Sequence, residues 1–301
     1  MNTRIITIAN AKGGVGKTTS AAAIGDVLAR TMHKKVLLID AATLANLSRR
    51  FGYDTVDCEI KVTLDSYLFS VVKERKFMSN QLPAIEPYIH TGILNNPGNE
   101  TRSEYENLSI ICSTPDLDCV YKSVGHGENS IIRAMLAYLK KLERFEYILI
   151  GTSPAYNNAH VRDDYIAGSD YLMIPVFASP DSMIGAELLL ESYESIVDFQ
   201  KAHEQPLVNY LGMFFCNIAV NNSDLYKQFS VGKKRFNWKY IFSSFIPQGP
   251  SVCQSGNMNM AVTSAFPSSP PSCGYLMLVR EMLDRIRKSE DSIEEKAQQT
   301  C

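Results

Sequence analysis

Apolar residues along the chain fall into short blocks of two kinds. In the first they run together: RIITIA at 4–9, KKVLLID at 34–40, LSIICS at 108–113, YILIG at 147–151, YLMIPV at 171–176 and NYLGMFFCN at 209–217. Continuous apolar runs of this length, rich in β-branched and aromatic residues, predict strands buried on both faces of a parallel sheet. KYIFSSFIP at 239–247 is a weaker candidate of the same type. In the second kind, apolar residues recur at helical spacing, over 18–30 (Ala21, Ile24, Leu28), 130–144, 183–203 and 274–288. Strands alternating with helices imply βαβ units, so the expected class is α/β: a mostly parallel sheet with helices on both faces, in a single domain. That domain is expected over 1–288, with the polar, turn-rich stretch 73–107 as an insertion. SSPPS at 268–272 reads as a loop, and 289–301 as a polar, frayed tail.

Composition narrows the picture. The 301 residues are 45% hydrophobic, enough for one sizeable core. No apolar run approaches the roughly 20 residues that span a bilayer, and MNTRIITIANAK lacks the apolar centre of a secretory leader. The seven cysteines are scattered without a C-x-x-C pair, which predicts reduced thiols in a cytosol rather than a disulfide framework or structural zinc. A net charge of −2 supplies no global attraction to nucleic acid, although local basic patches remain available.

The chemistry sits between the first strand block and the first helical block, in AKGGVGKTTS at 11–20. A glycine-rich turn from strand to helix converges backbone N–H groups on phosphate oxygens, and the helix dipole adds to the attraction. Gly13, Gly14, Val15 and Gly16 form that turn. Lys17 is placed for the β- and γ-phosphates, the Thr18 hydroxyl for Mg²⁺, and Thr19 continues the loop. A second lysine, Lys12, precedes the turn, and Ala11 stands where the general phosphate-loop pattern has glycine.

K-G-G-V-G-K-T-T resembles the signature of the ParA/MinD family of deviant Walker A ATPases, closest to its ParA/Soj-type DNA-partitioning members. The resemblance continues through LLIDAATLANLS, YILIGTSPAY, IPVFASPDSMIGAELL and FIPQGPSVCQS. It implies ATP or ADP with Mg²⁺ as cofactors. It also implies a homodimer in the ATP state, in which Lys12 reaches the partner's nucleotide. Asp40 is then the first aspartate of the family's D-x-D motif, expected at the metal and in catalysis together with Thr18, Lys12 and Lys17. Asn217 would bond the adenine edge, with Pro247 and Gln248 flanking the ring.

Two family carboxylates are missing. The second aspartate of D-x-D, tied to positioning the attacking water, falls on Ala42, and the Walker B aspartate falls on Gly151. Neither replacement carries a charge or a side-chain acceptor. Binding is expected to survive and hydrolysis to be slow or absent. By the same resemblance the ATP dimer would bind nonspecific DNA, on the nucleoid of the cytoplasm, and be released by a ParB-like adaptor. The candidate DNA contacts are Lys233, Lys234, Arg235 and Lys239, interleaved with Phe236 and Trp238, and a second basic set with Arg280 and Arg287. The acidic end SEDSIEEKAQQTC argues against a membrane-binding terminal helix. The alternative function is a nucleotide-bound positioning or regulatory scaffold acting on a protein cargo without a productive ATPase cycle.

Overall fold

The computed structural model describes residues 2–53, 60–76, 82–92, 105–126, 130–153, 159–219, 227 and 240–299. The six long apolar runs are strands: β1 (Arg4–Ile8), β2 (Val36–Ala41), β4 (Leu108–Ile111), β5 (Tyr147–Thr152), β6 (Tyr171–Phe177) and β7 (Asn209–Cys216). They pair in parallel in the order β4-β2-β5-β1-β6-β7. The apolar continuity has the expected cause: alternate residues of one strand enter different cores. Ile6, Ile8, Leu38 and Leu149 lie in one cluster, while Ile5, Leu37, Ile39, Ile148 and Ile150 lie in another.

Helices cover both faces. α1 (Lys17–Asp26) continues as one π-helical turn, Val27–Thr31, and packs on the first face with α8 (Pro250–Asn257), α9 (Val262–Ala265) and α10 (Pro270–Gln299). α3 (Leu64–Lys76), α4 (Leu117–Tyr121), α5 (Ile131–Lys141), α6 (Ala159–Ala167) and α7 (Pro180–Ala202) belong to the other face. The short α2 (Asn46–Arg50) follows β2 directly. The fold is the single α/β domain that the apolar pattern predicts. No described helix is long and apolar enough to cross a membrane.

The stretch 73–107, expected as an insertion, is built into the sheet edge and the core where it is described, and three further expectations need correction. β3 (His90–Thr91) pairs antiparallel with β4 at the sheet edge, and Ile85 and Tyr105 are buried in the core. Two residues are too few to register as a strand pattern. Of the candidate strand 239–247, the described part, 240–247, does not form a strand; two isolated bridges, Met213 to Ile241 and Ile218 to Pro247, tie it to β7. SSPPS is not all loop, because α10 starts at Pro270, a residue type suited to the first helical turn. Nor does the chain fray at 289: α10 continues to Gln299, and Glu290 holds Arg4 at the start of β1 in a two-pronged ion pair of 2.7 and 2.8 Å.

α10 approaches the segment before α8 closely at Gly274. A Cβ there would lie 2.7 Å from the Phe245 carbonyl oxygen and 2.8 Å from Pro247 Cδ. Alanine normally favours a helix over glycine by about 1 kcal/mol. Here the clash reverses the sign: Gly274→Ala is expected to destabilise by about 1–3 kcal/mol, read from the midpoint of urea unfolding.

Candidate nucleotide-binding site

β1 lies where the strand order reverses, since successive connections run to β2 on one side and to β6 and β7 on the other. In such sheets, ligands bind beyond the carboxyl ends of the strands at the reversal. A cleft of about 680 Å³ opens there, over Gly14, Gly16, Lys17, Thr18 and Thr19. The turn is left-handed at Gly14 (φ 74°) and Gly16 (φ 91°), a conformation that favours glycine. Gly16 caps α1 with no side-chain hydrogen bond, so the helix start presents its amides to whatever occupies the cleft. Val15 is buried beneath the turn.

Lys17 is folded back into the loop. Its Nζ donates to the carbonyls of Lys12 (2.7 Å) and Asn10 (3.1 Å), and only 5% of the residue is exposed. Burial, reinforced by the charge of Arg162, pushes its pKa down to about 8. Asn10 is the organiser that the sequence pattern does not reveal. Fully buried, it donates to the Pro175 carbonyl (2.8 Å) and accepts from the Lys12 N–H (2.9 Å), fixing the loop to β6. Its short polar side chain at a strand end carries no distinctive spacing.

Lys12 points elsewhere. Its side chain lies outside the cleft, 3.6 Å from Asp181, in a second cavity with Arg162, Ile184 and Leu188. Gly185 explains this placement: a Cβ there would come within 2.7–2.9 Å of Asn10 Oδ1, Lys12 Cβ and Lys12 N, so α7 presses against the start of the loop.

Asp40 is placed differently from its expected metal and catalytic role. Its carboxylate is fully buried, does not line the cleft, and accepts from Ser48 N (2.8 Å), Ser48 Oγ (2.8 Å) and Ala42 N (3.2 Å). Burial raises its pKa, and these hydrogen bonds oppose the rise. Its geometry is that of a structural tie across the turn from β2 to α2.

Ala42 does line the cleft, and its carbonyl accepts from Ser113 Oγ (2.8 Å). Gly151 pairs with Asp40 and with Ile8 near the carboxyl end of β5. A Cβ on Gly151 would meet Leu47 Cδ2 at 3.2 Å and Ala21 Cβ at 3.5 Å. The room for a side chain at 151 is thus bounded by apolar groups. The residues following Ser153 in TSPAY lie outside the described residues.

For Mg²⁺, the described lining offers hydroxyls and no carboxylate. Thr18 fits a metal that arrives on phosphate oxygens and keeps most of its water, a coordination that Mg²⁺ commonly adopts. Asn217, left-handed at φ 58°, and Pro247 line the cleft on the side opposite α2. Gln248 is exposed and is not among the lining residues; its N–H donates to the Ile218 carbonyl (2.8 Å). Lys233, Lys234, Arg235 and Lys239 lie outside the described residues. Arg280 and Arg287 are exposed on α10, Arg287 paired with Asp284 at 2.9 Å. Arg285, part of the same basic set, is committed to the fold: it bonds the Leu211 and Ile241 carbonyls and Glu281, and lies over the Phe242 ring. The site also includes Arg49 and Arg50, the last residues of α2, which in sequence resemble ordinary surface charge.

A sequence profile described as an AAA domain matches residues 3–206, well over half of the chain. The chain belongs to that family, within its ParA/MinD group of P-loop ATPases. It is similar to the virulence plasmid ParA family protein pGP5-D of Chlamydia psittaci, at 25% identity over 94% of this chain and 96% of the relative. The chromosome partitioning protein ParA of Caulobacter vibrioides is 24% identical, covering 94% of this chain and 95% of its own. Among solved structures, the septum site-determining protein MinD of Pyrococcus horikoshii, complexed with Mg-ADP, superposes with a TM-score of 0.65. It is 20% identical and covers 93% of this chain and 95% of its own, a likeness of fold. In this ParA/MinD-group chain the phosphate loop thus sits in its family fold, with Lys17 turned inward and Lys12 outward.

The depressed Lys17 pKa has a defined consequence. An unfolded lysine titrates near 10.5, so between pH 8 and 10.5 the unfolded chain holds more protons, and the stability of the empty protein rises with pH over that window. A bound polyphosphate would restore the proton. Binding is therefore expected to take up protons near pH 8 and to weaken by up to about tenfold per pH unit above it. Calorimetric titrations in two buffers of different ionisation enthalpy measure the uptake; identical heats in the two would contradict it.

Proposed function

We propose that this chain is a ParA-type partitioning protein that binds ATP or ADP with Mg²⁺ and dimerises in the ATP state. The observation that carries the reading is the opposite orientation of the two loop lysines. Lys17 serves the chain's own cleft. Lys12 stands on an outer face beside Ile184 and Leu188, which are 46% and 53% exposed. Exposed apolar side chains next to a lysine suit a surface that closes on a second copy, where Lys12 would meet the partner's phosphates. Such a dimer would carry the basic residues of both copies onto nonspecific DNA, and a ParB-like adaptor would release it.

Turnover in this reading is slow. The loop amides, Lys17 and Thr18 hold ground-state phosphate, and Mg²⁺ bound there would neutralise charge on the phosphoryl group. Orienting a water for in-line attack needs an acceptor; the Ala42 side chain has none, and its carbonyl is taken by Ser113 Oγ. The described lining of the cleft, which holds no carboxylate, also favours a second reading, a nucleotide-held scaffold without a productive cycle.

ATP turnover and oligomeric state, measured together for this chain, Ala42→Asp and Lys12→Ala, test these readings. The chain itself is expected to form an ATP-dependent dimer with little turnover, Ala42→Asp to gain at least tenfold in rate, and Lys12→Ala to bind ATP as a monomer. A Lys12→Ala variant that still dimerises with ATP would remove the basis of the dimer reading. An Ala42→Asp variant without turnover would leave the scaffold reading. DNA binding should require ATP and fall steeply with salt. Combined replacement of Lys233, Lys234 and Arg235 by alanine should weaken it equally for all sequences, as a filter-binding salt series would show.

A further inference from the structure

The described charged residues of the cleft lining all have one sign. The described lining contains Lys17, Arg49 and Arg50 and no aspartate or glutamate, while Asp40 is sealed off by Ser48 and Ala42. The two arginines differ in how they are held. Arg49 is occupied within its own turn, its NH2 donating to the Leu44 carbonyl (2.9 Å) and Asn46 Oδ1 (2.6 Å).

Arg50, at the end of α2, is drawn across to α8. Its NH1 donates to Ser255 Oγ (3.2 Å) and, at longer range, to the Met260 carbonyl (3.4 Å). Ser255 is fully buried and itself donates to the Val252 carbonyl (2.9 Å), so the anchor is rigid. A Cβ on Gly256 would lie 3.2–3.4 Å from NH2, Cζ and NH1, which means that the guanidinium is laid against the one residue type that leaves it room. Burial lowers the pKa of Arg50, and the ionisable groups acting against that are the Tyr275 phenol and the Cys253 thiol, neither of them a carboxylate.

A largely desolvated guanidinium with no carboxylate partner among the described residues carries a desolvation cost that a bound anion would relieve. Its planar fork also matches the geometry of phosphate oxygens. We propose that Arg50 is a phosphate-binding residue of the cleft, pinned by Ser255 and Gly256 in the same cleft that the glycine-rich loop lines. Together with Lys17 it supplies charge neutralisation that the missing carboxylates cannot recruit through a metal. The proposal rests on the nucleotide reading of the cleft. It adds that nucleotide binding here depends only weakly on divalent cation.

The test is a titration of the full chain with a fluorescent ATP analogue, with magnesium and with excess EDTA, and adenosine as a phosphate-free competitor. The unmodified chain is expected to lose less than about tenfold in affinity when the metal is chelated. Arg50→Gln should lose about tenfold or more in EDTA with adenosine affinity unchanged, and Arg50→Lys should recover part of that. Gly256→Ala keeps the charge, displaces the guanidinium by a few tenths of an ångström, and should weaken the ATP analogue several-fold without lowering the melting temperature. The inference is overturned if Arg50→Gln binds the analogue like the unmodified chain. It is equally overturned if adenosine is lost in parallel, which would make Arg50 a packing residue, or if chelation abolishes binding by the unmodified chain. Failure of the unmodified chain to bind any nucleotide under either condition would overturn the nucleotide reading itself.

Discussion

The buried carboxylate of Asp40 organises the end of the sheet where the cleft forms. It gathers Ser48 N, Ser48 Oγ and Ala42 N around one side chain with no exposed surface. Ser48 Oγ in turn accepts from Ser113 N, and Ser113 Oγ donates to the Ala42 carbonyl. One acid thereby fixes the exit of β2, the start of α2 and the exit of β4. A buried acid survives only when its acceptors are filled, and here they are filled by backbone and hydroxyl donors rather than by a cation. The position of Ala42 on the cleft wall, and of Arg50 at the end of α2, follows from that tie.

The loop on the other side of the cleft is governed by repulsion and close approach. Lys17 and Arg162 are both buried cations near the same turn. Lys17 is satisfied by carbonyls, and Arg162 by Asp163 and Ser192. The carbonyls neutralise no charge, so a bound polyanion would improve the state of this lysine. Gly185 brings α7 against Asn10 and Lys12, so the surface bearing Ile184 and Leu188 is mechanically continuous with the phosphate loop.

Much of this was legible in the chain. Continuous apolar runs marked the parallel strands because each is covered on two faces, and Gly14 and Gly16 marked the loop because its left-handed turns suit glycine. Lys12 stood out by its position before the loop. The reading failed where tertiary partners decide the outcome. β3 is only two residues long, and its pairing depends on β4. The polar end of α10 is helical through Gln299, with Glu290 held by Arg4. Asp40 carries a motif position but spends its oxygens on Ser48. Arg50 looked like surface charge because nothing in its local sequence announces Ser255 or Gly256, two hundred residues away.

The packing at Gly151 ties what stands at the end of β5 to what stands on α2. Leu47, fully buried, reaches to within 3.2 Å of where a Cβ would be. A side chain added at 151 would press on Leu47 and come close to Ala21, so Leu47 would have to give by a few tenths of an ångström. Trimming Leu47 alone to make that room would leave a hole beneath α1. The two positions are therefore coupled: a change at either one is felt at the other, and the strand end and the short helix that borders the cleft vary as one unit.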